Sequence, residues 1–261
     1  VIDTGVDYNH PDISANMWDD GNGKHGFDFS ENTDDPLDSF GHGTHCAGTI
    51  AAVLNNSVGI AGVAPKAKIM AIKIFPKAID SVCVQAIKFA ADKGARILSN
   101  SWGPSARRPK NQAIEEAVEY AYSKGCIVVF AAGNNNDDTQ FYAPANHSQV
   151  IAVAATDSND KRAVFSNFGD PVTVSAPGVN ILSLKAASQS YIQMSGTSMA
   201  CPHVSGLAAL VLHNNRQYSF EEVKGFLQQN VDTISPDKLL GSGRINALKT
   251  VKQSATSVNK K

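Results

Sequence analysis

The sequence predicts an α/β fold: a doubly wound, mostly parallel β-sheet with helices on both faces. Three observations predict it. Short apolar, β-rich runs recur along the 261 residues, stretches with helical apolar spacing lie between several of them, and the run "CIVVFAAG" (126–133) is apolar at successive positions. A strand apolar on both faces belongs in a sheet covered by helices on both sides, and strand–helix–strand alternation implies parallel pairing.

The elements follow in chain order. The chain opens on "VIDTGVD" (1–7), which reads as a core strand without a lead-in, so a preceding segment is expected. "FGHGTHCAGTIAAVL" (40–54) puts His42 between two glycines at the start of an apolar helix. "KIMAIKIF" (68–75) reads as a strand. "DSVCVQAIKFAADKG" (80–94) repeats apolar residues at helical spacing and stops at Gly94; "NQAIEEAVEYAYSKG" (111–125) does the same and stops at Gly125. Glycine is favoured just past a helix end because it enters the left-handed conformation freely. "ARILSNSW" (95–102), "CIVVFAAG", "VIAVAAT" (150–156) and "VTVSAPG" (172–178) complete the strands. "SGTSMACPHVSG" (195–206) gathers small residues at the mouth of a buried helix, with Pro202 expected in its first turn, where a missing N–H costs nothing. "KQSATSVNKK" (252–261) is polar and expected to fray, which draws one domain at 1–251 and a tail at 252–261.

Composition excludes several functions. Hydrophobic residues make up 43%, and the net charge is −1, so nothing marks a nucleic-acid partner. No apolar run approaches the roughly 20 residues of a membrane span. Cys46, Cys83, Cys126 and Cys201 lack metal-type CxxC spacing and read as buried free thiols.

In sheets of this kind, sites lie outside the carboxyl ends of the strands. That rule picks out Asp3, Ser101–Gly103 and Gly133–Asn134. With His42 and Ser198 they supply an orienting carboxylate, a base and a nucleophile.

These residues lie in the motifs "VIDTGVDYNHPDI" (1–13), "GHGTHCAGTIAA" (41–52), "SWG" (101–103), "AAGN" (131–134) and "SGTSMACPHVSG", with "NNSVGIAGVAPKA" (55–67) between the second and third. In that order the motifs resemble the subtilisin-like serine proteases, the subtilases; the chain order Asp, His, Ser is a known mark of that family. The resemblance implies a serine endopeptidase with Asp3, His42 and Ser198 as its triad and Asn134 in the oxyanion hole. It implies substrate binding along Ser101, Trp102 and Gly103 and along Ala131, Ala132 and Gly133. Tyr142 falls near the base of the P1 pocket, and the apolar walls favour an apolar P1 residue; Asp137 and Asp138 leave a basic one open. It also implies a structural Ca²⁺ held by Asp12 and Asn56 side chains and the carbonyls of Leu54, Val58 and Ile60. His45 and His203 are structural by the same resemblance. The expected partners are polypeptide substrates and a propeptide or protein inhibitor, for a monomer secreted from the cytoplasm as a zymogen. The alternative is a non-catalytic binding protein on the same fold.

Overall fold

Ile127, Val129 and Ala131 pack into one hydrophobic core, and Val128 and Phe130, between them, into another. That alternation is the two-faced strand expected from the sequence. The computed structural model describes residues 1–235 and 238–258. In chain order its strands are β1 (Ile2–Asp3), β2 (Gly26–Asp28), β3 (Ala71–Lys73), β4 (Ile97–Asn100), β5 (Ile127–Ala131), β6 (Ile151–Thr156), β7 (Val172–Pro177), β8 (Ile181–Leu184), β9 (Tyr191–Met194), β10 (Val231–Asp232) and β11 (Arg244–Ile245). β8 and β9 form a separate antiparallel hairpin; the rest make one sheet in the order β10-β11-β7-β6-β5-β4-β1-β3-β2. Every pairing in that sheet is parallel except β10 with β11.

The helices are α1 (His42–Ala51), α2 (Asp80–Asp92), α3 (Gln112–Ser123), α4 (Thr197–Asn214), α5 (Phe220–Gln229) and α6 (Ala247–Val258). α2 and α3 cover one face of the sheet, burying Ala86, Ile87, Ala117 and Val118 against Leu98 and Phe130. α4 and α5 cover the other, with Val204, Leu207 and Val211 against Val129, Val153 and Val174. Gly94 and Gly125 end α2 and α3 with φ of +81° and +80°, the left-handed turn expected of them. All four cysteines are free and buried.

Two expectations need correction. Residues 252–258 are no tail: α6 runs on to Val258 because Ser254 is buried, its carbonyl accepting from Tyr218 Oη (2.8 Å) and its hydroxyl from Asn214 Nδ2 (2.8 Å). The last three residues of the expected tail, 259–261, lie outside the described residues. Pro202 is not in the first turn of α4, which begins at Thr197. A proline there leaves the carbonyl of Ser198, four residues back, without its helical donor. Ser101 Oγ (2.8 Å) and Cys46 Sγ (3.5 Å) donate to that carbonyl instead.

Candidate active site

Asp3 ends β1 and is fully buried, while His42 is the first residue of α1. The imidazole Nδ1–H donates to Asp3 Oδ1 at 2.7 Å, which fixes the tautomer and turns Nε2 away from the carboxylate. Burial alone would disfavour the imidazolium. The charge and hydrogen bond of Asp3, with the charge of Asp38, outweigh it and hold His42 above the usual histidine pKa.

Ser198 stands in the first turn of α4 and shares a cleft of about 510 Å³ with His42. Its Oγ donates to the Ser101 carbonyl at 3.1 Å, so the hydroxyl rests on the β4 side of the cleft. Contacts between a serine and its base are often looser before substrate binds, and a turn of one side-chain torsion carries Oγ away from Ser101.

Thr197 fixes the amide of Asn134. Its N–H (2.8 Å) and Oγ1 (2.9 Å) both donate to Asn134 Oδ1, which leaves Nδ2 as the free end. A Cβ built on Gly196 would lie 3.5 Å from Ser198 N and 3.6 Å from Asn134 Nδ2. Two donors therefore converge on one small space that glycine keeps open, the arrangement that stabilises a developing oxyanion.

The walls of the cleft include Ser101, Trp102 and Gly103 on one side, Ala131, Ala132 and Gly133 on the other, and Tyr142. Asp137 is not a free anionic lure. Arg107 holds it through Nε (2.7 Å) and Nη2 (2.8 Å), Tyr142 Oη donates to it at 3.0 Å, and the guanidinium keeps its carboxyl well below the usual range. Asp138 caps the short turn that follows, accepting from Gln140 N at 2.9 Å.

Three further groups near the site are structural. His45 Nε2 donates to the carbonyls of Ile181 (2.9 Å) and Ile192 (3.2 Å), tying α1 to the hairpin. His203 Nδ1 donates to the Met199 carbonyl at 2.9 Å. Ligand atoms of Asp3, His42 and Cys46 lie within 4.8 Å of one another, but burial pushes the Cys46 thiol well above its usual pKa, so it stays neutral.

Away from the cleft, the loop 54–60 closes over Asp12, which is fully buried. Asp12 accepts from Asn56 Nδ2 (2.7 Å), Ile60 N (3.0 Å) and Tyr191 Oη (3.2 Å), all neutral donors. The loop reverses through positive φ at Asn55, Ser57 and Gly59. A buried carboxylate met, among the described residues, by neutral donors suits a hard divalent cation; the Asn56 amide would present its oxygen in place of its nitrogen.

Residues 1–248 match the subtilase family, Peptidase_S8. The chain belongs to the subtilase family. It is 42% identical to thermitase of Thermoactinomyces vulgaris, covering 96% of this chain and 87% of that one. It is 44% identical to a thermophilic serine proteinase of Bacillus sp. strain AK1, of which it spans 60%. A solved protease of Pseudoalteromonas arctica superposes with a TM-score of 0.87 at 30% identity, over 97% of this chain and 88% of that one. Membership in this family makes the chain a subtilisin-like serine endopeptidase. The sequence places Thr197 at the small-residue mouth of α4 and assigns Asp38 nothing; the structure gives Thr197 the orienting of Asn134, and Asp38 the building of the start of α1. Both lie within matched or adjoining sequence, but their roles depend on hydrogen bonds that spacing does not reveal.

Proposed function

We propose that this chain cleaves peptide bonds through an acyl-enzyme on Ser198, with His42 as the base and Asp3 as its orienting partner. The observation that carries the reading is the 2.7 Å Asp3–His42 pair beside a cleft that also holds Ser198 and two convergent N–H donors. Ser198 Oγ leaves the Ser101 carbonyl, gives its proton to His42 Nε2 and bonds to the scissile carbonyl carbon. The carbonyl electron pair moves to oxygen, where Asn134 Nδ2 and Ser198 N–H receive the charge. As the intermediate collapses, the C–N bond breaks and the amine leaves with the proton from His42. Water then repeats the sequence on the ester and frees Ser198.

An extended substrate adds as a strand along Ser101–Gly103 and Ala131–Gly133, so main-chain pairing gives breadth and pockets give preference. Pro104 lacks the N–H that a glycine would offer there. The P1 residue is apolar: the walls are alanine and glycine, Tyr142 lines the pocket, Arg107 neutralises Asp137 beside it, and Asp138 is taken up in capping the next turn. Calcium would be held by Asp12 and Asn56 with the carbonyls of Leu54, Val58 and Ile60, where it supplies stability. Family membership supports export from the cytoplasm, synthesis with a propeptide, and action as a monomer in one catalytic domain.

A fluorophosphonate probe tests the nucleophile. Mass spectrometry is expected to find the adduct on Ser198, and Ser198→Ala to lose both labelling and peptide hydrolysis. Undiminished cleavage by Ser198→Ala would reject the reading.

A further inference from the structure

We propose that Asp38 is a positioning residue for the His42 base: a buried carboxylate that builds the start of α1 and serves as a second counter-charge when His42 is protonated. The inference rests on His42 being the catalytic base.

Asp38 lies four residues before His42 and is 3% exposed. Its Oδ1 accepts from Phe40 N (2.9 Å) and Gly41 N (2.9 Å), and its Oδ2 from Thr44 N (3.0 Å) and Thr44 Oγ1 (2.6 Å). The reason lies in the sequence of the turn. The residue capping α1 is Gly41, which has no side chain to satisfy the free N–H groups of the first turn. Asp38 reaches over Gly41 and takes the N–H of Thr44, while Thr4 Oγ1 takes that of Gly43 at 2.8 Å. Thr44 Oγ1 in turn accepts from Asp7 N at 2.8 Å. Asp38 thus joins the segment following Asp3 to the helix that begins with His42.

All four donors to Asp38 are neutral, so its charge is met by no cation among them. A buried carboxylate bound to the first turn of a helix that begins with a histidine favours the imidazolium. The other groups facing His42 do not supply that charge. Cys46 on α1 is kept neutral by burial, and burial likewise lowers the pKa of His45. Among the described residues two carboxylates remain, Asp3 from β1 and Asp38 from the turn, and both raise the basicity of His42. Asp3 touches the ring; Asp38 acts through the helix start and through space.

The test is the pH dependence of kcat/KM, per titrated active site, in wild type, Asp38→Asn, Asp38→Ser and Asp38→Glu. The two neutral variants are expected to move the midpoint of the acid limb down by roughly half a unit or more, and Asp38→Glu to hold it near the wild-type value. A purely structural role would lower the melting temperature and leave the midpoint in place. The same shift is read without turnover or self-digestion by NMR titration of the His42 ring proton in the Ser198→Ala background. A wild-type profile with no acid limb in the histidine range would count against His42 as the base. A normal wild-type limb that both neutral variants leave in place would overturn the role of Asp38 alone. Failure of both neutral variants to fold in the Ser198→Ala background would reduce Asp38 to a folding role and equally overturn it.

Discussion

Because Thr197 holds the oxygen of Asn134, the amide can offer only its nitrogen to the cleft. Asn134→Leu keeps the size and removes the donor. The interaction belongs to the transition state, so kcat should fall about 10²–10³-fold, the loss known for the equivalent donor in subtilisin, while KM stays nearly constant. Active-site titration checks this: full turnover per titrated site would refute the assignment. Ser198→Ala and His42→Ala should each remove on the order of 10⁶ in kcat, as in subtilisin, and the double variant should be little worse, since both serve one proton transfer. Losses that multiplied would show separate steps. The pH dependence follows from His42. Its folded pKa is raised, so the neutral base is lost, and activity falls, as pH drops through a value above 6.5. The stabilising pair with Asp3 runs the other way: it contributes fully below 6.5 and fades as pH rises through the raised pKa. At this scale the sequence was legible where a residue acts by itself. Asp3, His42, Ser198 and Asn134 sit in matched motifs at strand or helix ends. Thr197 and Asp38 act through partners brought in by other elements, and Arg107 reaches Asp137 from 30 positions away, so no local pattern exposed them.

Among the elements, α4 carries the nucleophile and fills the core beneath it. Leu207 is fully buried there, and Leu207→Ala should cost about 2–5 kcal/mol, read by denaturant unfolding of the Ser198→Ala protein. A loss below about 1 kcal/mol would mean the helix can collapse onto the space it leaves. The strands β3 to β7 were legible as apolar runs because most of their side chains are buried under helices, even with Ser99, Asn100, Thr173 and Ser175 buried among them. β2 and the hairpin β8–β9 were not. β2 is three residues long, and the hairpin exposes Leu182 and Ile192, so neither shows the apolar run that marks a covered strand. Pro202 was visible in the sequence, but its place in α4 was misjudged because the helix begins at Thr197, and one turn decides which carbonyl a proline leaves free.

For the molecule as a whole, the loop at Asp12 lies between α1 and α2 in the chain and touches the hairpin through Tyr191. If calcium occupies it, chelation should lower the melting temperature of wild type by several degrees, while Asp12→Ala should melt low with or without chelator. Calorimetry at fixed ionic strength checks both, and a wild type indifferent to chelation would remove the ion from the account. The parallel, helix-covered architecture was legible; the order of the strands was not, because it is set by pairings between segments far apart in the chain, such as β1 lying between β3 and β4. Nor was the end of the domain, because α6 is mostly polar and the side chains it buries are Thr250 and Ser254.

The displaced carbonyl of Ser198 has a mechanical consequence. α4 is 18 residues long, a lever of about 27 Å, and an unbroken ladder of hydrogen bonds would transmit any tilt of its far end to the nucleophile. Pro202 leaves slack in that ladder one turn from its start, and Ser101 and Cys46 clamp the mouth to the sheet and to α1. The frame of reference for Ser198 is therefore the end of β4, not the axis of its own helix. Substitutions that loosen the far end, such as Leu212→Ala, should lower the melting temperature and leave kcat per titrated site unchanged, whereas Ser101→Ala should lower kcat with little thermal effect.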